Sequence, residues 1–158
     1  MGILLLFLLL STGCGKSTEA RGPLFFQDES EYHVQIECKD IKTEGIIFFD
    51  RDGSVHLIHQ DKNSPLYGLE EIFTETGVQC KFHGMELEHL PYYGGTGHIG
   101  HALQILRTQA PEQMKKEKNG KRYVYNTDSV RLELLCTSKS DPIRITGQDF
   151  QINFHTSA

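Results

Sequence analysis

Histidines are the first candidates for chemistry in this sequence, and eight of its 158 residues are histidines. His98 and His101 are three residues apart at the start of a predicted helix, close enough to share one helical face and one metal ion. A metal site needs a third and a fourth ligand, and the sequence alone does not place the candidates, His33 and His89, beside this pair. We therefore predict no metal site and no cofactor, and His98 and His101 are the residues that a metal-binding alternative would use.

Cys38, Cys80 and Cys136 all fall on the apolar phase of predicted strands. This pattern is typical of buried thiols that pack as small apolar side chains. One disulfide among them is the alternative if the protein lies in an oxidising compartment. None of the three stands beside a helix start that would stabilise a thiolate, so the sequence predicts no cysteine nucleophile.

Two pairs of carboxylates, Asp50 with Asp52 and Glu70 with Glu71, have the residue type that acid–base hydrolysis requires. Turn chemistry explains the first pair better, because Asp52 precedes a glycine. Glu70 and Glu71 are neighbours on a predicted strand, where adjacent side chains point to opposite faces. We therefore predict that the protein is not an enzyme.

The first fourteen residues have the layout of a cleaved export signal. The apolar run from Ile3 to Leu10 is far shorter than the roughly 20 residues that cross a bilayer, and small residues lead from it to Cys14. The stretch Leu10-Ser-Thr-Gly-Cys14 resembles a bacterial lipobox, at which the signal is removed and the cysteine is acylated. The resemblance implies a signal peptide over residues 1–13, a lipidated Cys14, and a protein anchored by palmitate-type chains at the extracytoplasmic face of the cell membrane. Secretion without a lipid is the alternative.

The composition fits one exported domain behind a tether. Residues 14–30 are mostly polar and rich in breakers, which predicts a flexible tether, although we expect its apolar Leu24-Phe25-Phe26 stretch to pack on the domain. Residues 31–158 are expected to form a single β-rich domain. The formal charge of −5 argues against nucleic-acid binding and against a cationic membrane-surface patch.

Alternating apolar and polar residues predict antiparallel strands through most of this domain. Val34, Ile36 and Cys38 alternate with polar neighbours, and comparable runs follow as far as Phe154. Turn signals such as Asp-Arg-Asp-Gly53 and Asn-Gly120 separate successive runs. The pattern is that of a meander of strands joined by tight turns.

Helical spacing of apolar residues predicts one helix, from Gly97 to Thr108, with Thr96 as its cap. Strands with one apolar face need a cover, because each large side chain that is buried contributes about 1.5–3 kcal/mol. The predicted fold is therefore mainly β (α+β), a curved antiparallel sheet or half-barrel that wraps this central amphipathic helix. A closed barrel or a β-sandwich is the alternative.

The order of these elements resembles a group of small lipoproteins of Gram-positive (Firmicutes) bacteria. The resemblance lies in three stretches, from Gly68 to Leu87, from Asn119 to Tyr125 and from Pro142 to Phe154. Such proteins are similar to envelope proteins of the LolA and LppX type, in which a curved sheet wraps a helix and can shelter an acyl chain. The resemblance implies no catalytic residues.

We therefore expect a non-catalytic binding role at the cell envelope, for an acyl chain or another apolar ligand. If the sheet leaves a gap beside the helix, we expect apolar residues of both to bind the ligand: Phe48, Phe73, Phe82, Leu103, Leu106, Leu134 and Phe154. Two alternatives remain. One is a surface interaction protein with a solid core and no ligand, and the other is a histidine-based metal-binding envelope protein.

Overall fold

A computed structural model describes residues 26–39, 41–90, 96–128 and 130–155. The expected signal peptide, Cys14 and most of the expected tether lie outside these residues. The strands are β1 (Ser30–Cys38), β2 (Ile41–Phe49), β3 (Val55–His59), β4 (Glu70–Thr74), β5 (Gly77–Phe82), β6 (Met85–Leu90), β7 (Gln113–Glu117), β8 (Gly120–Asn126), β9 (Arg131–Cys136), β10 (Pro142–Thr146) and β11 (Phe150–Phe154). Helix α1 (Gly97–Thr108) lacks the length and apolar character of a membrane-crossing helix, and no other helix occurs in the described ranges.

The strands form one antiparallel sheet in the order β6-β5-β4-β3-β2-β1-β11-β10-β9-β8-β7. Consecutive strands pair within two meanders, β1 to β6 and β7 to β11, and the pairing of β1 with β11 joins the meanders. Within the described part of the chain, the outer strands β6 and β7 do not pair with each other, so the curved sheet is open. The predicted mainly β fold, an open curved antiparallel sheet with one helix, is confirmed.

The alternation in the sequence places a row of apolar side chains on the concave face of the sheet. In β1, Val34, Ile36 and Cys38 are buried, while the residues between them are partly exposed. Ile36 lies directly opposite Ile152 of β11, which is also buried. Because directly opposed residues of antiparallel strands point to the same face, this row continues from strand to strand and forms the core.

Helix α1 packs against β3 and β4 and has the bounds that the sequence predicts. Its apolar stripe, which includes Ile99 and Leu103, is buried in the core. Gly100 lies against the ring of Phe73 in β4, and a Cβ atom built on Gly100 would be 2.0 Å from Cδ1 of that ring. Glycine at this position therefore permits the close approach of helix and sheet.

Polar side chains fix both ends of α1 to the sheet. Gln104 Nε2 donates to the carbonyl oxygen of Phe73 at 3.0 Å, and Arg107 Nη1 donates to that of Ser54 at 3.0 Å. At the other end, Thr96 occupies the N-cap position, but its side chain makes no capping hydrogen bond. Its hydroxyl donates instead to the carboxylate of Glu71 in β4. Thr96 is thus the N-cap residue that the sequence predicts, but its hydroxyl binds a buried carboxylate of the sheet instead of a helix amide.

The chain joins the core before β1 begins. Phe26 is buried, and its ring centroid lies 4.6 Å from that of Phe49 and 6.4 Å from that of Phe154. Aromatic side chains in such tilted contacts add to the energy of simple burial. Phe26 thus packs on the domain, as the sequence predicts for this residue.

Candidate apolar binding site

An apolar pocket lies at the β6 edge of the sheet. Its volume is about 310 Å³, which is in the size range of small-molecule sites. The lining residues are Pro65, Leu66, Leu69, Cys80, Phe82, Met85 and Leu87. None of these side chains carries a charge, so the pocket offers desolvation and van der Waals contact to a ligand.

Strands β5 and β6 supply one wall of the pocket. Cys80 and Phe82 in β5 lie opposite Leu87 and Met85 in β6, so all four side chains point to the concave face. No described strand lies beyond β6 to cover them. Met85 is consequently 64% exposed and Leu87 is 59% exposed, which is unusual for two large apolar side chains that stand next to each other.

The loop between β3 and β4 supplies the opposite wall. The Ser64 N–H donates to the carbonyl oxygen of Asp61 at 3.0 Å, which forms the kind of turn that Asp and Ser favour. The Gly68 N–H donates to the carbonyl oxygen of His59 at 3.0 Å and fixes the end of the loop to β3. These bonds hold the loop so that it presents Pro65, Leu66 and Leu69.

A buried polar cluster lies one strand away from the pocket on the same face. Glu71 in β4 is directly opposite Cys80, and its Oε2 is 2.9 Å from Nε2 of His59. Its other carboxylate oxygen accepts the hydrogen bond from Thr96. The remaining ring nitrogen of His59, Nδ1, has no hydrogen-bond partner among the described residues. Because Thr96 stands at the start of α1, its bond to Glu71 makes the cluster fasten α1 to the sheet. Neither His59 nor Glu71 lines the pocket, which therefore remains apolar.

The surroundings of the thiol in the pocket wall disfavour its ionisation. Burial raises the pKa of Cys80 above its ordinary value, and the nearby Glu71 carboxylate raises the pKa further. The thiol therefore stays protonated at neutral pH and acts as apolar lining.

The other two cysteines lie in the core. Cys38 and Cys136 are buried, which confirms the prediction for these two thiols, and burial raises the pKa of Cys136 to about 12. No disulfide joins Cys38, Cys80 and Cys136 in the structure as described.

The structure places the seven predicted ligand-binding residues in three environments. Phe82 lines the pocket. Phe48 is half-buried on the convex face, where its ring meets that of His56 edge-on at 5.8 Å. The other five are buried in the core: Phe73, Leu103, Leu106, Leu134 and Phe154. Phe82 is thus the one residue of this set that the fold brings to the pocket.

Sequence reasoning missed the remaining pocket residues, although some of them carry a signal. Met85 and Leu87 show the alternation of a half-buried strand, which by itself predicts an ordinary covered face. The additional signal is that this strand leads through a loop into a helix rather than into another hairpin. A strand in that position is a candidate sheet edge, and the apolar face of an edge strand is the place to look for an uncovered surface.

Among the described residues, the structure adds no third metal ligand to the two histidines of α1. His98 is exposed and His101 is half-buried at the start of α1. In the described ranges, no group of three or more His, Cys, Asp or Glu side chains is placed to hold a metal ion. The metal-binding alternative therefore has no further ligand for His98 and His101 in this part of the chain.

Comparisons with known proteins add a distant structural similarity. No family model matches the chain, and no curated protein matches it. The chain is similar to a crystal structure of LprF from Mycobacterium bovis, with a TM-score of 0.36 and 9% sequence identity over 83% of this chain and 86% of that chain. The class of the protein follows from its own fold and pocket: it is an open, mainly β half-barrel with an apolar pocket at one edge.

Proposed function

We propose that this protein is an exported lipoprotein at the extracytoplasmic face of the cell membrane, whose domain binds an apolar ligand without catalysis. The observation that carries the proposal is the pocket at the β6 edge, which has an apolar lining. The resemblance of the sequence pattern to small envelope lipoproteins, and through them to the LolA and LppX type, supports the same role.

The pocket favours an aliphatic ligand such as an acyl chain. Apart from Phe82 and the Cys80 thiol, its lining is aliphatic or thioether, and it holds no charged group that would orient a polar molecule. Each CH2 group that enters such a site from water contributes about 0.8 kcal/mol. A ligand would also cover Met85 and Leu87, so that both partners lose exposed apolar surface.

The ligand proposal is tested with cis-parinaric acid, a fluorescent fatty acid. We expect saturable binding to the protein and binding about 15- to 150-fold weaker to the Met85→Ser/Leu87→Ser variant, because two apolar contacts of about 0.8–1.5 kcal/mol each are lost. Both side chains are more than half exposed, so this variant should fold normally. The control is Ile41→Ser, which removes a 38% exposed apolar side chain from β2, and should bind as the parent does. Absence of saturable binding, or the same loss in the control, would reject an apolar ligand at this pocket.

The membrane part of the proposal depends on Cys14. A single acyl chain binds a membrane only marginally, whereas two or more chains anchor a protein stably. In protein recovered from the membranes of a bacterial host, we expect an intact mass that lacks residues 1–13 and includes a diacylglyceryl group. The Cys14→Ser variant should lack that group. A soluble, unmodified product from both chains would reject the anchor and favour secretion, and it would leave the pocket experiment unaffected.

The second candidate function is that of a surface interaction protein with no small ligand. The observation that favours it is the burial of five of the seven expected ligand residues, since these fill the interior with side chains. A negative result with the fatty-acid probe would leave this candidate in place.

A further inference from the structure

The hairpin of β7 and β8 is basic in a chain that is acidic as a whole. Residues 113–122 contain five basic residues and one acidic residue, a net charge of +4, whereas the whole chain carries −5. The rest of the chain therefore carries −9. The negative net charge of the whole chain argues against a cationic surface patch, whereas this hairpin by itself carries a positive net charge.

Only part of this positive charge is neutralised within the molecule. Arg122 Nε is 2.6 Å from a carboxylate oxygen of Glu117, and its Nη1 is 3.0 Å from one of Glu133. Three exposed lysines, which we call the hairpin lysines, have no ion-pair partner among the described residues: Lys115, Lys116 and Lys118. Their ammonium groups are available to an external anion.

The position of the hairpin makes these charges accessible from outside. Strand β7 is an edge of the sheet, pairs with β8, and has every residue exposed. Successive side chains of a strand alternate between the two faces, so Lys115 points to the convex face and Lys116 to the concave face. Met114 shares the concave face with Lys116 and is 44% exposed. The hairpin thus presents cations on both faces and at its turn, with one apolar side chain beside them.

We infer that this hairpin docks edge-on against an anionic membrane surface. Anionic lipid headgroups form a continuous layer of negative charge, which can contact cations on both sides of a protruding edge at once. Met114 would reach the boundary between headgroups and acyl chains, as apolar side chains of interfacial segments do. A nucleic acid fits less well, because the two tyrosines of β8, Tyr123 and Tyr125, are buried and unable to stack on bases.

The inference rests on the proposed membrane location and adds an orientation to it. An acyl anchor holds the domain near the bilayer but does not determine which side of the domain faces it. A basic patch adds about 1 kcal/mol of attraction for each lysine near an anionic surface, which favours one orientation of the anchored domain. The β7–β8 hairpin would then be the side of the domain that contacts the membrane.

The test uses the Cys14→Ser chain, so that no lipid anchor contributes to binding. We expect this chain to sediment with phosphatidylglycerol–phosphatidylcholine vesicles, to ignore vesicles of phosphatidylcholine alone, and to be released by salt. Replacement of the three hairpin lysines, Lys115→Gln/Lys116→Gln/Lys118→Gln, should weaken binding about 100-fold, at about fivefold for each lysine. The corresponding Lys→Arg triple variant should bind as the parent does.

The matched control is Lys39→Gln/Lys42→Gln/Lys62→Gln, which removes the same charge from three exposed lysines beside β1, in β2 and after β3, away from the β7–β8 hairpin. It should retain most of the binding. The inference is overturned if the parent ignores anionic vesicles at low salt, if the two glutamine triples lose binding equally, or if the hairpin binds DNA or an acidic peptide but not the vesicles. Because the tested chain has no lipid, a failure of the lipoprotein proposal in the mass measurement is distinguishable from a failure here.

Discussion

Two histidine–glutamate pairs connect β3 with β4, and they differ in burial rather than in geometry. His59 with Glu71 and His56 with Glu70 both have an N···O distance of 2.9 Å. The side chains of the first pair are 0% and 7% exposed, and those of the second are 20% and 31% exposed. Water can replace a lost partner in the second pair but not in the first. Burial therefore determines which of the two glutamates the fold depends on.

We predict that Glu71→Ala lowers the free energy of unfolding by about 3 kcal/mol, because it leaves the buried His59 ring without a partner and frees the Thr96 hydroxyl. The matched change Glu70→Ala should cost about 1 kcal/mol or less, as for partly exposed pairs. Urea denaturation of both variants beside the parent measures the two losses. Equal losses, or a larger loss for Glu70→Ala, would contradict the assignment of the buried pair as the link between α1 and the sheet.

The sequence predicts the relative orientation of the two glutamates but not their burial. Period-two alternation predicts that Glu70 and Glu71 face opposite sides, and the structure confirms it, since their histidine partners are three residues apart in β3 and therefore of opposite phase. It does not predict that Glu71 is the buried one. That depends on the register between β3 and β4 across a ten-residue loop, which no local pattern specifies.

At the scale of elements, the sequence predicts best where several local signals agree. Helix α1 has the predicted bounds, because its apolar spacing and the breakers on both sides indicate the same limits. The hairpin of β7 and β8 forms beside the predicted Asn119-Gly120 signal, but its two turn residues are Lys118 and Asn119, and Gly120 already pairs with Glu117 as the first residue of β8. These elements depend on short-range interactions, which are fully present in the sequence.

The sequence does not predict the position of each strand in the sheet. Which strands become edges follows from the pairing of β1 with β11, which brings Val34 opposite Phe154, about 120 residues away along the chain. Alternation alone does not reveal this pairing. The sequence therefore does not distinguish the covered apolar residues, such as Leu134, from the uncovered Leu87. This is why most of the expected ligand residues lie in the core while the pocket forms at β6.

The order of the strands gives the whole molecule a centre and two edges. Strand β1 lies at the middle of the order, bonded along its full length to β2 and from Val34 to Cys38 to β11. Strands β6 and β7 each have one neighbour in the described structure, and both have exposed side chains. Few buried contacts and exposed backbone hydrogen bonds are the features of segments that open at low free energy. Stability should therefore fall from the centre of the sheet toward both edges.

Hydrogen exchange measures this gradient directly. We predict that peptides covering β1 and β11 exchange their amide hydrogens most slowly, through global unfolding, and that peptides covering β6 and β7 exchange fastest, through local opening. The measurement is made by mass spectrometry at low protein concentration and without lipid, so that neither self-association nor a membrane covers an edge. Peptides from β10 and β5 serve as internal references, since they lie between the centre and the edges. Protection of β6 and β7 equal to that of β1 would mean that each has a second strand partner. That result would contradict the open half-barrel and, with it, the exposed wall of the pocket and the accessible basic hairpin.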